Sequence, residues 1–214
     1  MERPILFSTA MVRAILEGRK TQTRRVVKSI YDIDSLATAQ EWNLGRADER
    51  MVPYEKWGKK RGCGLFKSTD GTIFAQPCPY GAPGDLLWVR ETFVLNYSDD
   101  IPIAFRADWH DGLKGIVEPP KWKPSIFMPK KYARIWLEIT DVRVERVQNI
   151  TESDAENEGM DGHCPEDRMT WDTPREQFTK LWDSINGKKY PWSGNPWVWV
   201  VEFQQIKKAE VNDE

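Results

Sequence analysis

The stretch that decides the fold of this chain is PILFSTAMVRAILEGRKTQTRRVV, residues 4–27. Its apolar beginning predicts a short strand, after which Ser8 or Thr9 can cap a helix, because either hydroxyl accepts from a free backbone N–H. Apolar residues then recur at helical spacing up to Gly18, which suits the left-handed position just past a helix end. Residues 20–27 are rich in β-branched side chains and predict a second strand.

Later segments add strands and two short helices. Residues 134–147 alternate between apolar and charged, as in a half-buried strand, and a shift of parity near Thr140 predicts a bulge. Strand character also appears in 85–95, 103–106 and 196–206.

The two helices are predicted between the last strands. Residues 151–154 resemble a capping box and open a helix that ends at Gly159. Pro174 suits the first turn of a second helix, which ends at Gly187. We expect the buried face of this second helix to consist of Phe178, Leu181, Trp182 and Ile185.

Two irregular stretches, at about 28–83 and 97–130, are interpreted as insertions with little regular structure, apart from a hairpin over 65–76. The antiparallel-looking strands with short helices between them predict an α+β fold, a small mixed β-barrel with short peripheral helices. We expect one domain over 1–206, followed by a charged tail at 207–214.

The composition excludes several classes of protein. With 31 Lys and Arg against 33 Asp and Glu, the net charge of −2 excludes a histone-like polycation but leaves room for a local basic groove. No apolar run approaches the ~20 residues that span a bilayer, and the N-terminus lacks a signal-peptide pattern, so we expect no membrane partner. The odd count of three cysteines argues against a secreted disulfide scaffold and favours a reducing, cytoplasmic location.

The residues that would form a zinc site are Cys63, Cys78, His163 and Cys164. No Cys-x-x-Cys pair exists among them, and adjacent residues such as His163 and Cys164 rarely supply two ligands. We therefore expect free thiols, no bound metal and no cofactor.

Four cations and two threonines lie within residues 18–25, and two interpretations of them stay open. In one, a polar edge strand alternates with solvent. In the other, the Lys20 amine and the Thr23 hydroxyl meet in a pocket, where a desolvated lysine takes the proton that a threonine nucleophile must lose. A flat strand points the two side chains to opposite faces, so the second interpretation requires a turn near Lys20.

Three further charged residues have two possible uses each. Glu158 near the end of a short helix is disfavoured by the helix dipole, which suggests pairing with Lys20 or a substrate, unless it is simply solvated. Arg90 and Glu91 lie on opposite faces of a strand, so one of them faces inward, either in a structural ion pair or in a pocket.

At these residues the chain resembles the ASCH family, a branch of the PUA-like β-barrels. Of the family signature Gly-x-Lys-x-x-Glu-x-Arg, Gly18, Lys20 and Arg25 match, while Thr23 stands where most members have Glu. Threonine at this place is similar to the subgroup that hydrolyses the amide of N4-acetylcytidine. The resemblance to that subgroup implies catalytic roles for Lys20, Thr23 and Glu158.

The whole chain is also similar to uncharacterised ASCH-like proteins of phages and prophages. The shared strings are MVRAIL (11–16), CPYG (78–81) and NPWVWV (195–200). The ASCH resemblance covers about half of the chain, near 3–27, 84–94 and 134–203, and it implies the PUA-like barrel.

Three functions follow as hypotheses. The first is recognition of a modified pyrimidine nucleoside or RNA base with hydrolysis of its N4-acyl amide: Thr23 attacks the acyl carbon or orients water, Lys20 accepts the proton and holds the oxyanion, and Glu158 positions Lys20 or protonates the leaving amine. The other candidate ligand-binding residues are Arg25, Arg90, Glu91, Trp88, Trp57 and Trp122.

The second hypothesis is a non-catalytic reader of RNA or modified bases. Its electrostatic groove would use the basic stretch 56–61 and the lysines near Trp122, with tryptophans as stacking shelves. Those lysines are Lys121, Lys123, Lys130 and Lys131. The third hypothesis is a phage accessory protein that binds a host protein through an exposed, Trp-rich apolar patch.

Overall fold

The computed structural model describes residues 1–28, 33–36, 62–68, 71–109, 120–162 and 172–207. Five strands form its main sheet. In order across the sheet they are β1 (Glu2–Leu6), β6 (Leu86–Arg90), β9 (Trp136–Arg146), β10 (Trp197–Ile206) and β2 (Gln22–Val26).

The two strands that flank the first helix lie at opposite edges of this sheet. β1 runs parallel to β6, and the other neighbouring strands are antiparallel. Arg25 at one edge donates from Nη2 to the Leu6 carbonyl at the other, at 2.7 Å, so the two edges approach each other. Within the described ranges, however, no strand pairing closes the sheet into a barrel. The α+β class is confirmed.

Two smaller sheets flank the main one. One contains β3 (Ile33–Leu36), β4 (Cys63–Ser68) and β5 (Ile73–Pro77), and the other pairs β7 (Phe93–Ser98) with β8 (Ile101–Phe105). The β4–β5 pair confirms the predicted hairpin. The described parts of both predicted insertions thus contain more strands than we expected. In the first insertion, β4 packs into the core through residues such as Phe66.

The long antiparallel pair β9–β10 carries the predicted bulge. Glu202 pairs with Asp141, whereas the next residue, Phe203, pairs with Ile139. Thr140 is therefore left without a partner in the register, at the position where the alternation of the sequence changes parity.

The helices begin where the sequence places their caps. α1 (Thr9–Leu16) is capped by Ser8, α2 (Glu152–Asn157) opens with a capping box from Thr151, and α3 (Pro174–Asn186) opens with one from Thr173. The expected buried face of α3 is wrong at Ile185, which is 58% exposed because the last turn of the helix borders a cavity. None of the helices in the described ranges has the length and apolar content needed to cross a bilayer.

The core lies on both faces of the main sheet. On one face Trp199 and Val201 of β10 pack with α1 and β1. On the other face Val198 and Val200 pack against α2 and α3. Alternate residues of one strand thus serve two hydrophobic layers, which explains the nearly continuous apolar run of β10. The second layer brings α2 and α3 against the edge strand β2.

Candidate functional site

Two tight turns bring the start of β2 against the end of α2. Gly18 adopts φ +74° just after α1, and Lys20 then donates its backbone N–H to the Ala14 carbonyl. Gly159 follows α2 with φ +95°, and a Cβ there would lie 2.9 Å from the Ala14 Cβ. Only glycine permits both this backbone conformation and this close approach. Lys20 and Glu158 consequently face each other in an isolated antiparallel bridge.

The Lys20 amine and the Glu158 carboxylate form a buried ion pair. Nζ donates to Glu158 Oε2 at 2.7 Å and to the Glu158 carbonyl at 2.8 Å. Each residue is only 2% exposed. Burial lowers the pKa of Lys20, and the neighbouring charge of Glu158 opposes this effect without cancelling it. Lys20 is thus brought closer to the neutral form that a general base requires.

Arg24 holds the other side of the Glu158 carboxylate. Its Nη1 lies 3.4 Å from Glu158 Oε1, while Nη2 lies 3.2 Å from Glu145 Oε2 and 3.3 Å from Asp154 Oδ2. The side chain of Arg24 is fully buried. Because a buried guanidinium needs compensating carboxylates, these three acids fix its position, and Arg24 in turn fixes the rotamer of Glu158.

The network continues to the surface through Arg143, which pairs with Glu145, Asp154 and Glu202. Burial would raise the pKa of Asp154, but hydrogen bonds from Thr151 and Gln22 and the charge of Arg24 hold it below its usual value. Alternating charges therefore link the buried Lys20 to the exposed side of the sheet, and each charge has a partner of opposite sign.

A cavity of about 360 Å³ opens beside this network. Its buried base is formed by Thr23, Arg24 and Glu158. Exposed lysines stand at its rim, and half of its wall is aromatic or aliphatic. The remaining residues of the wall and rim are Met11, Arg25, Val26, Lys28, Tyr80, Phe178, Leu181, Trp182, Ile185, Asn186, Lys188, Lys189 and Tyr190.

The cavity runs along the open edge of β2. Val27 donates its N–H to the Trp197 carbonyl, so the odd-numbered residues of β2 turn their backbone groups toward β10. Backbone groups alternate in direction along a strand, so those of Arg24 and Val26 point to the opposite edge. The cavity contacts all of 23–26, which means that a ligand can meet backbone donors and acceptors as well as side chains from both faces.

Of the three predicted catalytic residues, the structure brings two to the cavity. Thr23 and Glu158 line it, whereas Lys20 is not among the lining residues and contacts the Glu158 carboxylate instead. The turn that we required near Lys20 is present, because β2 begins only at Gln22 and Lys20 belongs to the preceding bridge. The interpretation as a solvent-exposed edge strand is wrong for these residues, since Lys20 and Thr23 are each 2% exposed.

Of the predicted ligand-binding residues that the structure describes, Arg25 alone lines the cavity. Its guanidinium lies 5.3 Å from the centroid of the Phe7 ring and donates from Nη2 to the Leu6 carbonyl. Its Nε–H is buried without an acceptor among the described residues.

Glu91, Trp88 and Arg90 do not reach the cavity. Glu91 is 1% exposed and accepts two hydrogen bonds from Arg134, at 3.0 and 2.9 Å, so it belongs to a structural ion pair. Burial raises the pKa of Glu91, and Arg134 opposes the rise. Trp88 lies in the core, 6% exposed, with the Arg90 guanidinium 4.8 Å from its ring centroid. Strand β6, which carries Trp88 and Arg90, is separated from β2 by β9 and β10.

The described part of the predicted stacking shelves and basic groove does not line the cavity. Trp122 is half-buried and packs edge-on against Trp109, with centroids 5.9 Å apart. Trp57 and the basic stretch 56–61 lie outside the described residues. The lysines Lys121, Lys123, Lys130 and Lys131 are exposed and take no part in the cavity.

The described part of the chain contains no cluster of three metal-ligating side chains. Cys63 and Cys78 are buried there and form no disulfide, and burial raises the pKa of Cys78 to about 11. His163 and Cys164 lie outside the described residues.

Sequence reasoning missed several residues of the site. Arg24 lies in the cationic stretch 18–25. It follows Gln22 by two residues and so shares a strand face with it, which is the sequence feature that could have predicted its orientation toward α2. Trp182 was expected only in the core, although it also lines the cavity. Nothing in the local sequence signals that Tyr80 and Tyr190 approach β2, because both contacts depend on long-range packing.

Comparison with known proteins adds no assignment: no family model, no curated protein and no solved structure matches this chain.

Proposed function

We propose that this chain binds a modified pyrimidine nucleoside or RNA base in the cavity beside β2 and hydrolyses an N4-acyl amide on cytidine. The observation that carries the proposal is the 2.7 Å pair of Lys20 and Glu158, buried behind a cavity that Thr23 also lines. A buried amine that is paired with a carboxylate, beside a cavity lined by a hydroxyl, suits acyl transfer, because the amine can accept the proton that the hydroxyl loses.

The aromatic side chains of the wall suit a flat base. Tyr80, Trp182 and Tyr190 are aromatic residues of the lining, against which a pyrimidine can pack, and the backbone groups of Arg24 and Val26 can pair with its polar edge. The volume of about 360 Å³ lies at the small end of the ~300–1,000 Å³ range of ligand sites, which suits a single nucleoside rather than a larger cofactor.

In the proposed reaction the Thr23 oxygen attacks the acyl carbon and its proton passes to the Lys20 amine. The resulting ammonium stabilises the oxyanion and then returns its proton to the leaving N4 nitrogen as the C–N bond breaks, which restores the neutral amine. Water then attacks the acyl-threonine ester, releasing the carboxylic acid and restoring the hydroxyl. Glu158 orients Lys20 throughout, or delivers the proton to the amine.

The fold is part of the proposal. A PUA-like barrel of the ASCH type would place these residues in one hollow, and the approach of the two sheet edges at Arg25 and Leu6 supports such a barrel. The proposed location is the cytoplasm, where nucleosides and RNA occur.

The test is incubation of the purified chain with N4-acetylcytidine, with cytidine and acetate measured as products. Thr23→Val removes the hydroxyl while keeping the shape, and should abolish release; Thr23→Ser should retain part of it. Thr21→Val is the matched control, because Thr21 is exposed and lies next to the site without lining the cavity. No release by the unmodified chain at high enzyme concentration defeats the catalytic proposal.

A second candidate is a reader that binds the modified base without turnover. The observation that favours it is that the Lys20 amine already donates to two oxygens of Glu158, which is the arrangement of a structural ion pair. A reader binds N4-acetylcytidine or RNA that contains it, releases no acetate, and binds equally well after Thr23→Ser.

A further inference from the structure

The rim of the cavity beside β2 is cationic. Lys28, Lys188 and Lys189 are exposed there, and Arg25 is half-buried next to them. Among the described lining residues the only carboxylate is Glu158, which is already paired with Lys20 and Arg24. The chain as a whole carries a net charge of −2, so this excess of positive charge is local.

The rim lysines are not committed to partners within the described ranges. Lys28, Lys188 and Lys189 form no ion pair there, and Lys189 only lies 5.3 Å from the ring centroid of the adjacent Tyr190. By contrast, Lys130 pairs with Glu2 and Lys180 pairs with Asp172 elsewhere on the surface. Unpaired cations that converge on a cavity raise the local concentration of anions.

Two guanidinium donors in the lining point to the same conclusion. The Nε–H groups of Arg24 and Arg25 are buried and have no acceptor among the described residues. These two Nε–H groups are shielded from solvent and are not contact points for a ligand, but the two guanidinium groups add positive charge to the lining. Together with the rim lysines they leave the cavity with more positive than negative charge.

We propose that the ligand of this cavity is a phosphorylated pyrimidine, whose phosphate is bound by Lys28, Lys188 and Lys189 while its base occupies the buried end. This rests on the proposed function, which supplies the pyrimidine, and it adds the phosphate to the substrate class. The phosphate belongs either to a mononucleotide or to the backbone of an RNA strand, and both present the same anionic oxygens to the rim.

The arrangement separates the two parts of the ligand by burial. The polar base of the cavity is buried and its aromatic wall is buried or half-buried, whereas the lysines are exposed to solvent. A base gains from stacking in the shielded part, and a phosphate keeps part of its hydration at the rim. Lysine suits that position because its ammonium is a mobile, strongly hydrated point charge.

The experiment compares the binding of three ligands to the full chain by calorimetry. The ligands are N4-acetylcytidine, its 5′-monophosphate, and a short single-stranded RNA with one N4-acetylcytidine. We expect the monophosphate or the RNA to bind at least about tenfold more tightly than the nucleoside at low salt, with the advantage lost at high salt. Whichever of the two phosphorylated ligands binds more tightly relative to the nucleoside identifies the source of the phosphate.

The variant Lys188→Gln/Lys189→Gln should remove most of that advantage, so that the variant binds the monophosphate about as tightly as it binds the nucleoside. The matched control is Lys121→Gln/Lys123→Gln, two exposed lysines that do not line the cavity. Equal affinity for the nucleoside and its phosphorylated forms overturns the phosphate proposal but leaves the proposed function standing. An advantage of the phosphorylated ligands that survives Lys188→Gln/Lys189→Gln has the same consequence. Failure of all three ligands to bind overturns both.

Discussion

Lys20 and Glu158 are 138 residues apart in the chain, yet the Lys20 amine donates both to the carboxylate and to the backbone carbonyl of Glu158. One residue precedes β2, and the other ends α2. The pair therefore joins the open edge of the sheet to the helical layer, at the position where the cavity begins. Its contribution to the fold and its contribution to chemistry can be separated by experiment.

The first prediction concerns the stability of this pair. Lys20→Met should lower the free energy of unfolding by about 3–5 kcal/mol, because it leaves a buried carboxylate without its main partner. Adding Glu158→Leu should recover part of the loss, since two apolar residues of similar size need no compensation. Urea denaturation measures both changes. A loss below about 1 kcal/mol in the single variant contradicts a buried ion pair.

The second prediction concerns pH and activity. The lowered pKa of Lys20 means that its amine becomes neutral at a pH below 10.5, the ordinary value for lysine. If the neutral amine accepts the threonine proton, kcat/KM rises with pH through that lowered pKa and then levels off. The measurement is a pH–rate profile for release of cytidine. A rate that falls over the same alkaline range excludes Lys20 as the base.

The third prediction treats Arg24 as a positioning residue. Arg24→Met should reduce kcat about tenfold to a hundredfold with little change in KM, because the carboxylate of Glu158 loses its second anchor and Lys20 loses its orientation. Arg24→Lys should restore part of kcat. A variant that changes KM alone, with kcat intact, would show that Arg24 binds the ligand directly.

The fourth prediction concerns the close approach at Gly159. Gly159→Ala should destabilise the protein by about 2–4 kcal/mol, from the left-handed backbone and from contact with the Ala14 side chain. Gly84→Ala is the control, since Gly84 has φ +87° with no atom within 4 Å of an added Cβ. We expect Ala14→Gly to rescue part of the Gly159→Ala loss. Equal losses at Gly159 and Gly84 contradict the contact.

The fifth prediction concerns alkaline unfolding. Because the pKa of the Cys78 thiol is raised to about 11, the unfolded chain ionises this group first as pH rises. The stability that Cys78 contributes is complete below the ordinary thiol pKa and is lost between about pH 9 and 11. Cys78→Ala should therefore make the free energy of unfolding fall less steeply over that range. An unchanged slope contradicts the shift.

Local sequence predicted the elements well. The caps at Ser8 and Thr151, and the bulge at Thr140, each depend on interactions within a few residues, so a single sequence contains the information. Ile185 shows the limit of such reasoning. Its helical spacing predicts burial, but spacing does not report where the covering layer ends.

The same division between local and long-range information holds for the candidate site. The sequence by itself singled out the amine of Lys20 and the hydroxyl of Thr23 as candidates for chemistry near β2, and it argued against a zinc site. Only the tertiary structure decided that Glu158 reaches Lys20, that Arg24 anchors it, and that Lys188 stands at the rim while Trp88 does not. Contacts between distant segments follow from how two hydrophobic layers pack on one sheet, and that packing has no local signature in the chain.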